Sequence, residues 1–173
     1  MSNDGLNISE KDGVITLSSA KATTNSNVTT IWYDYNCPFC RRHWIQNLDS
    51  YISDIDAGRL TLHMIPVAFL TEYSAAAAMF AYSVVPYGAA LFLDVFHSLV
   101  WEGLPESQGD DDALVKQKLD EVRRDILVPA LTAKGIDPKT VNTTTQEDYD
   151  KVKANTKRAA ANGVDSVPHV VEG

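Results

Sequence analysis

The apolar positions along the chain follow strand and helix periods in turn. Runs typical of strands occur at Val14–Leu17, Val28–Tyr33 and Leu60–Val67. Between the second and third runs, Pro38–Ile55 has apolar residues at helical spacing, and Gly58 fits the left-handed cap that ends such a helix. The order is therefore β, β, α, β, with a right-handed parallel crossover between the two strands that flank the helix.

The segment before these elements is polar. We expect residues 1–13 to form a mobile lead. The β-branched character of Val14–Leu17 predicts a short strand, since Gly13 precedes it and the polar residues 18–27 follow. We expect this strand to lie at an edge of the sheet, beside Val28–Tyr33.

Residues 71–163 have the apolar spacing of helices throughout. Predicted helices cover Tyr73–Val85, Tyr87–Trp101, a stretch that follows the acidic loop 102–112 and ends by Gly135, and Gln146–Asn162. Asp110, Asp111 and Asp112 favour the start of the third helix through capping and the helix dipole. Pro129 predicts a kink in that helix or an early end to it.

Residues 163–173 return to the pattern of a strand, with Val170 and Val171 at its centre. Pro168 comes just before this pair and has no N–H to donate to a neighbouring strand. Two arrangements accommodate the proline: an edge strand, or a tight turn with a cis peptide between Val167 and Pro168. The residues themselves leave both open.

Sheet elements therefore lie on both sides of a long helical stretch. The chain has 173 residues, of which 45% are hydrophobic, and this is enough for one good core. We predict an α/β fold in two units. Residues 1–70 together with 164–173 form the sheet domain, and residues 71–163 form an inserted helical subdomain.

Charge and hydropathy argue against several classes of partner. The net charge of -8 disfavours nucleic acid and anionic membrane surfaces, since both select basic patches. No run approaches about 18 consecutive apolar residues, so no membrane-spanning helix is predicted. The start has no basic region followed by an apolar one, so no secretory signal is recognised. Either the protein is cytoplasmic, or a signal or anchor has been removed from it.

The two cysteines of the chain, Cys37 and Cys40, lie in Cys-Pro-Phe-Cys at the predicted junction of a strand and a helix. The first turn of a helix has unpaired N–H groups and the positive end of the helix dipole, and both stabilise a thiolate. We expect the pKa of Cys37 to fall below the value of about 8.5 for a free cysteine, and Cys40 to be less accessible. Pro38 fits the first turn, where its missing N–H costs nothing. The pair is a candidate redox centre in which one cysteine attacks and the other resolves.

Other uses of two cysteines at this spacing fit less well. Haem attachment needs a histidine directly after the second cysteine, where the chain has Arg41. A structural zinc site needs about four ligands, and the chain adds only four scattered histidines to its two cysteines. A purely structural disulfide across so short a loop gains little from chain entropy. We predict no metal and no cofactor.

Three features together resemble one family. They are the segment Trp32–Cys40 with its Cys-Pro-Phe-Cys, the long helical insertion, and the turn from Gly163-Val164 to Val167-Pro168. In this order they resemble the DsbA-like thiol-disulfide oxidoreductases of the thioredoxin superfamily, of the actinobacterial or Gram-positive type. The resemblance extends over about residues 14–173. It implies a thioredoxin fold interrupted by a helical subdomain.

The resemblance also implies a set of site residues. Catalytic and supporting residues would be Cys37, Cys40, Pro38, Phe39, Val167 and Pro168. Cys37 would be the exposed nucleophile and Cys40 the resolving cysteine. Pro168 would be cis and lie against the disulfide, and Val167 would offer backbone groups to a substrate peptide.

Function, partners and location follow from the same resemblance. The protein would be an oxidase that introduces disulfides into exported proteins. Its substrates would be unfolded or reduced proteins with free thiols, and a membrane redox partner would reoxidise it. It would work outside the cytoplasm, on the periplasmic or cell-wall side or anchored to the membrane.

The chain departs from the family at two points. It stops at Gly173, where the family continues through another strand and a terminal helix, so the predicted sheet domain lacks these C-terminal elements. The second residue between the cysteines is Phe39, where the best-known strong oxidant has a histidine. Phe39 offers neither charge nor donor to the Cys37 thiolate, so we expect a smaller fall in pKa and a less oxidising disulfide.

Several residues near the cysteines have two interpretations each. Asp34 is either a buried acid that tunes the thiols or a solvated turn residue. His43 either touches the site or packs elsewhere. Five aromatic residues either frame a substrate groove or fill the core: Trp32, Tyr33, Tyr35, Phe39 and Trp44. Of these, Phe39 is the one that we expect to be exposed.

Two alternative functions stay open at this point. A cytoplasmic reductase or isomerase of the same superfamily would run electrons the other way, and the missing signal favours it. A non-catalytic thioredoxin-fold binding module would keep only the scaffold. The intact Cys-Pro-Phe-Cys argues against that third hypothesis.

Overall fold

The computed structural model describes residues 5–104 and 111–173. Its strands β1–β5 are Leu6–Lys11, Val14–Ser19, Asn27–Tyr33, Leu60–Pro66 and His169–Glu172. Its helices α1–α6 are Pro38–Asp56, Glu72–Val84, Ala89–Trp101, Asp112–Val122, Val128–Ala133 and Gln146–Ala161. Residues 1–4 of the predicted lead lie outside the described residues, as do positions 105–110 of the predicted acidic loop, Asp110 included.

The strands form one mixed sheet with the order β1-β2-β4-β3-β5. β3 and β4 are parallel and are joined through α1, as the sequence predicts. The remaining neighbours are antiparallel. The prediction that Val14–Leu17 is an edge strand beside Val28–Tyr33 is wrong, because β2 lies inside the sheet and β4 separates it from β3.

The edge position is taken by β1, so the prediction of a mobile lead is also wrong from residue 6 onward. Lys11 pairs with Val14, and the two residues between them, Asp12 and Gly13, have positive φ angles of 52° and 84°. Such two-residue hairpin turns need positive φ at both central positions, which explains the Asp-Gly pair. Asp-Gly is the sequence signal for this hairpin.

Helix α1 buries one apolar stripe against the sheet and leaves its other face exposed. The buried residues are Cys40, Trp44, Leu48, Ile52 and Ile55. Gly58 follows the helix with a φ of 79°, as predicted for a left-handed cap. A side chain at Gly58 would also collide with the Lys21 carbonyl group, so both conformation and space require glycine there.

A π-helical turn, Arg123–Leu127, separates α4 from α5. The Val128 N–H bonds a carbonyl five residues back rather than four. The turn matches the spacing of the apolar residues, since Val122 and Leu127 are both buried and lie five positions apart. In a regular α-helix, five residues would leave the second side chain about 140° away from the first. The interruption lies just before Pro129, where the sequence predicts a kink.

Strand β5 brings the end of the chain back to β3. The two strands are antiparallel, with His169 opposite Trp32. The peptide bond between Val167 and Pro168 is cis, and β5 is an edge strand of the sheet, so both predicted arrangements are present. Because β3 leads directly into Cys37, this pairing places the loop before β5 next to the start of α1.

Strands and helices share one apolar core that is rich in aromatic rings. The Trp44 ring stands edge-on to Tyr33 and Phe96, with centroid distances of 5.3 and 5.1 Å. The α/β class predicted from the sequence is confirmed, since one mixed five-stranded sheet is combined with helices. The division into residues 1–70 with 164–173 and residues 71–163 stays a prediction. None of the described helices has the length and apolar character that crossing a membrane requires.

A buried polar cluster ties the β1–β2 hairpin to α2, α6 and β4. The Asn155 Nδ2 group donates to the carbonyls of Gly13 at 3.1 Å and Pro66 at 3.0 Å. It also lies 2.8 Å from the Tyr82 hydroxyl, which itself donates to the Gly13 carbonyl. Because Asn155 is fully buried, these bonds replace the water that it loses on folding.

Replacement of Gly13 by alanine should test this cluster, with Gly135→Ala as the control. Both glycines have positive φ, so each alanine should cost about 1 kcal/mol from the backbone alone. At Gly13 the added Cβ would lie 2.6 Å from Asn155 Oδ1, whereas at Gly135 nothing lies within 4 Å. We expect Gly13→Ala to lower the free energy of unfolding in urea by about 1–3 kcal/mol more than the control. Equal losses would show that Asn155 moves away without cost.

Candidate active site

Cys37 and Cys40 lie where β3 ends and α1 begins, which confirms the predicted strand-to-helix junction. Cys37 is the N-cap residue of α1, Pro38 opens the helix, and Cys40 lies one turn further in. The Arg41 N–H donates to the Cys37 carbonyl at 3.0 Å, so the first helical bond spans the motif. Both cysteines are free thiols.

Cys40 is the less exposed of the two cysteines, as predicted, and both residues are buried. Cys37 is 6% exposed and Cys40 is 1% exposed. The expectation that Cys37 is an exposed nucleophile is therefore wrong for the residue as a whole. Its surroundings bury it on most sides, and it borders solvent only where it lines a groove.

The thiol chemistry nevertheless separates the two cysteines. The pKa of Cys37 is lowered to about 6. The largest cause is a hydrogen bond from the Cys40 thiol, and the backbone N–H groups of Cys40 and Phe39 add to it, while burial opposes them. The sequence predicts that helix-terminal N–H groups lower the pKa of Cys37. In the structure, the hydrogen bond from the Cys40 thiol lowers this pKa more than the N–H groups do.

Cys40 has the opposite shift. Its pKa is raised far above that of a free thiol, first by the hydrogen bond that it gives to Cys37 and second by burial. The Asp34 N–H donates to Cys40 Sγ at 3.5 Å and lowers the pKa of Cys40, but this does not offset the other causes. At neutral pH the pair therefore holds one proton, and Cys40 carries it.

The cis peptide lies against this pair. Cys37 Sγ lies 3.7 Å from the Val167 carbonyl oxygen and can donate to it when protonated, although 130 residues separate the two in sequence. Pro168 follows Val167 and has no N–H, and the ladder with β3 begins at the next residue, His169. The structure thus brings together Cys37, Cys40, Val167 and Pro168, which the resemblance names as one site.

Asp34 is completely buried, so the solvated interpretation is wrong. Its Oδ1 accepts from the Asn36 N–H at 2.9 Å and from the Ser74 hydroxyl. Its Oδ2 accepts from the N–H groups of Phe69 at 2.8 Å and Leu70 at 3.2 Å. Burial raises the pKa of Asp34, and these hydrogen bonds act against the rise.

A second set of bonds fixes the loop that enters the motif. Asn36 donates through Nδ2 to the Thr71 hydroxyl at 3.1 Å and accepts from the Arg41 guanidinium at 2.7 Å. Arg41 also donates to the Leu104 carbonyl at 2.6 Å. A Cβ at Gly103 would lie 2.6 Å from this guanidinium, so only glycine leaves Arg41 in place.

An apolar groove of about 560 Å³ opens beside Cys37. Its lining consists of Cys37, Phe69, Leu70, Ala160, Gly163, Val164, Asp165, Ser166 and Val167. Outside the groove, Phe39 is 63% exposed, as predicted, and the Arg42 guanidinium lies 5.6 Å from its ring centroid. The groove lining is predominantly apolar, so it suits apolar groups better than polar ones.

Most of the other predicted candidates belong to the core. Tyr33, Tyr35 and Trp44 are buried and Trp32 is partly buried, so of the five aromatic residues only Phe39 is exposed. His43 bonds the Tyr51 hydroxyl at 2.9 Å, and burial lowers its pKa. The packing interpretation therefore holds for His43.

Sequence reasoning missed Phe69 and Leu70. They follow β4, line the groove beside Cys37, and are 37% and 53% exposed. Two large apolar residues directly before the helix-capping Thr71 are the signal that could have found them. Across the described ranges, no three His, Cys, Asp or Glu side chains lie close enough to hold a metal ion.

Comparisons with known proteins agree on the fold. A family model described as thioredoxin matches residues 21–171. The structure is similar to the MdbA protein, a thiol-disulfide oxidoreductase from Corynebacterium diphtheriae, with a TM-score of 0.69 and 17% identity over 97% of this chain and 85% of that one. No curated protein matches by sequence.

Two further solved structures are similar. One is a periplasmic thioredoxin-like protein from Salmonella enterica serovar Typhimurium, with a TM-score of 0.64 and 18% identity over 95% of this chain and 80% of that one. The other is oxidized Mtb DsbA, with a TM-score of 0.59 and 20% identity over 92% of this chain and 82% of that one. At such identities the likeness establishes a common fold.

The rate of alkylation of Cys37 in the reduced protein should rise with pH around a midpoint near 6, because the thiolate is the reactive form and the pKa of Cys37 is about 6. Replacement of Cys40 by alanine removes the main donor to Cys37 and should shift this midpoint toward about 8.5. Cys40→Ser keeps a donor and should shift it less. Iodoacetamide labelling followed by mass spectrometry measures all three midpoints.

The Cys40→Ala result separates two causes of the low pKa. A large upward shift would assign it to the Cys40 thiol. A midpoint that stays near 6 would contradict this assignment and leave the backbone N–H groups as the cause.

Proposed function

The chain belongs to the thioredoxin family, and from this premise we propose that it is a DsbA-like thiol-disulfide oxidoreductase that introduces disulfides into exported proteins. The asymmetry of its two thiols carries the proposal. Cys37 has a pKa of about 6 and borders the groove, whereas Cys40 is buried behind it with a raised pKa. Such a pair suits one attacking and one resolving sulfur.

The proposed reaction begins from the Cys37–Cys40 disulfide. A substrate thiolate attacks Sγ of Cys37, and the sulfur of Cys40 leaves with the bonding electrons and takes up a proton. A second substrate thiolate then attacks the substrate sulfur of this mixed disulfide, and Cys37 leaves as a thiolate. One substrate disulfide forms, the protein disulfide is reduced, and two electrons pass from substrate to protein.

Stabilisation of the Cys37 thiolate sets the proposed direction. The lower its pKa, the better Cys37 leaves in the second step, and the more the reduced protein is favoured over its disulfide. A pKa of about 6 lies well below that of a free cysteine, even though Phe39 adds no charge. This stabilisation of the reduced protein is what the proposed oxidase direction requires.

Supporting roles are proposed for four residues of the site. Pro38 occupies the first helical position, where no N–H is needed. Phe39 forms an exposed apolar edge beside Cys37. Val167 would offer backbone groups to an extended substrate, and Pro168 holds the turn that presents them.

Location and partners are proposed with the oxidase function. Substrates would be unfolded or reduced proteins with free thiols, held along the groove beside Cys37. The similar Salmonella protein is described as periplasmic, and we propose an extracytoplasmic site of action for this chain as well. Reoxidation needs a partner that accepts two electrons, and we propose a membrane protein for this role.

The reduction potential of the Cys37–Cys40 pair should decide between oxidase and reductase. Equilibration against a glutathione redox series, with the thiols counted by alkylation, measures it. We expect a value closer to about -120 mV, typical of a strong oxidant, than to about -270 mV, typical of thioredoxin. A value near the thioredoxin end would reverse the proposed direction and favour a cytoplasmic reductase or isomerase.

A trapping experiment should test the order of the two sulfurs. Cys40→Ala lacks the resolving thiol, so its Cys37 thiolate should attack a peptide dimer linked by a disulfide, release one peptide as a thiol, and accumulate as a mixed disulfide with the other peptide, visible by mass spectrometry. The matched variant Cys37→Ala should form little or none, because Cys40 is buried, is not part of the groove lining, and keeps the rise in pKa that comes from burial. Equal trapping by both variants would contradict the assigned roles. No thiol reactivity in the unaltered protein would favour a binding module instead.

A further inference from the structure

Phe69 and Leu70 form an apolar projection on the wall of the groove, here named the ridge. Both side chains are partly exposed, and both line the 560 Å³ groove beside Cys37. They also line a second groove of about 520 Å³ on the side of α2. The ridge therefore separates the groove beside Cys37 from a second groove on the side of α2.

The backbone of the ridge is held by one side chain. Oδ2 of Asp34 accepts from the N–H of Phe69 at 2.8 Å and from the N–H of Leu70 at 3.2 Å. Ridge residues belong to neither β4 nor α2, so no strand or helix ladder uses these N–H groups. The position of the ridge thus depends on the carboxylate rather than on regular secondary structure.

Asp34 also forms hydrogen bonds with the segment that contains the redox pair. Oδ1 of Asp34 accepts from the N–H of Asn36, which precedes Cys37, and from the Ser74 hydroxyl in the first turn of α2. The main-chain N–H of Asp34 donates to Cys40 Sγ at 3.5 Å. One fully buried residue therefore joins the entry to the motif, the resolving sulfur and the ridge.

A buried carboxylate is a costly way to brace a loop, since leaving water disfavours its charge. Its lone pairs face four donors: Asn36, Ser74, Phe69 and Leu70. It is the main chain of Asp34, not the carboxylate, that bonds the Cys40 thiol. This arrangement fits a group that fixes distances within the site better than a group that exchanges protons with Cys40.

We infer that Asp34 is a positioning residue for substrate selection: it holds the Phe69–Leu70 ridge where the ridge contacts a large apolar side chain next to the reactive cysteine of a polypeptide. This inference rests on the proposed function and adds the substrate class to it. Polypeptides with Leu or Phe beside the cysteine are the favoured substrates. A small dithiol does not reach the ridge and gains nothing from it.

The test compares three reductants of the oxidised protein: dithiothreitol, a dithiol peptide with Leu beside its cysteine, and the same peptide with Ser in place of Leu. For each peptide, the measured quantity is the ratio of its rate constant to the rate constant for dithiothreitol. The ratio for the Ser peptide is the reference for the ratio of the Leu peptide. We expect the unaltered protein to favour the Leu peptide over the Ser peptide about tenfold, as burial of one apolar side chain allows.

Asp34→Ala removes every acceptor that holds the ridge, and it should lower the Leu-peptide ratio about five- to tenfold. Leu70→Ala truncates the ridge itself and should lower the ratio in the same direction. It tests the ridge independently if Asp34→Ala does not fold. Asp148→Ala is the matched control, since it removes another buried carboxylate, one that bonds Lys151 on α6. The control should leave the ratio as it is.

The double variant Asp34→Ala with Leu70→Ala decides how Asp34 acts. If Asp34 acts through the ridge, the double variant should lower the ratio no further than the larger single change. Fully additive effects, or equal losses of rate with all three reductants, would overturn the inference. The proposed function fails separately, if the unaltered protein transfers its disulfide to none of the three. Disulfide transfer without preference for the Leu peptide overturns the inference about the ridge and leaves the proposed function in place.

Discussion

Antiparallel pairing of β5 with β3 is the contact on which the candidate active site depends. Its register runs from Thr29 opposite Glu172 to Trp32 opposite His169. Because β3 continues directly into the Cys-Pro-Phe-Cys segment, the pairing fixes the loop before β5 against the amino end of α1. That loop contains the Val167 carbonyl and the cis turn, and it supplies part of the groove lining. A short ladder at one edge of the sheet therefore assembles a site from residues far apart in the sequence.

Within that site, two residues of the same kind behave differently because of their positions in one helical turn. Cys37 lies at the N-cap, where N–H groups and the Cys40 thiol all donate toward its sulfur. Cys40 lies deeper, gives its own proton to that bond, and has few compensating donors. Burial alone would raise the pKa of both thiols, so the direction of the hydrogen bonds decides which one ionises. The asymmetry is a property of the pair rather than of either cysteine.

Local patterns predicted the local parts of this structure well. The crossover of β3, α1 and β4 and the junction at Cys37 follow from spacing and capping, and the resemblance supplied the cis peptide before Pro168. The Asp12-Gly13 pair is also a sequence signal for the β1–β2 hairpin, but the polar residues beside it favoured a loop in the prediction. The features that the sequence did not predict depend on distant partners. β2 lies inside the sheet because β1 pairs with its outer side. The burial of Asp34 depends on residues that follow β4. No spacing within a segment contains that information.

The π-helical turn between α4 and α5 determines how this part of the molecule responds to a change in chain length. A π turn holds about one residue more than an α turn. Deletion of one residue among positions 124–126 would remove this extra residue and leave Val122 and Leu127 four positions apart and still on one face, while Pro129 would keep a kink between α4 and α5. Insertion of one residue would instead rotate α5 by about 100° and turn Leu131 away from the core. The segment should therefore tolerate the loss of one residue better than the gain of one, because only the loss keeps Val122 and Leu127 on the same helix face.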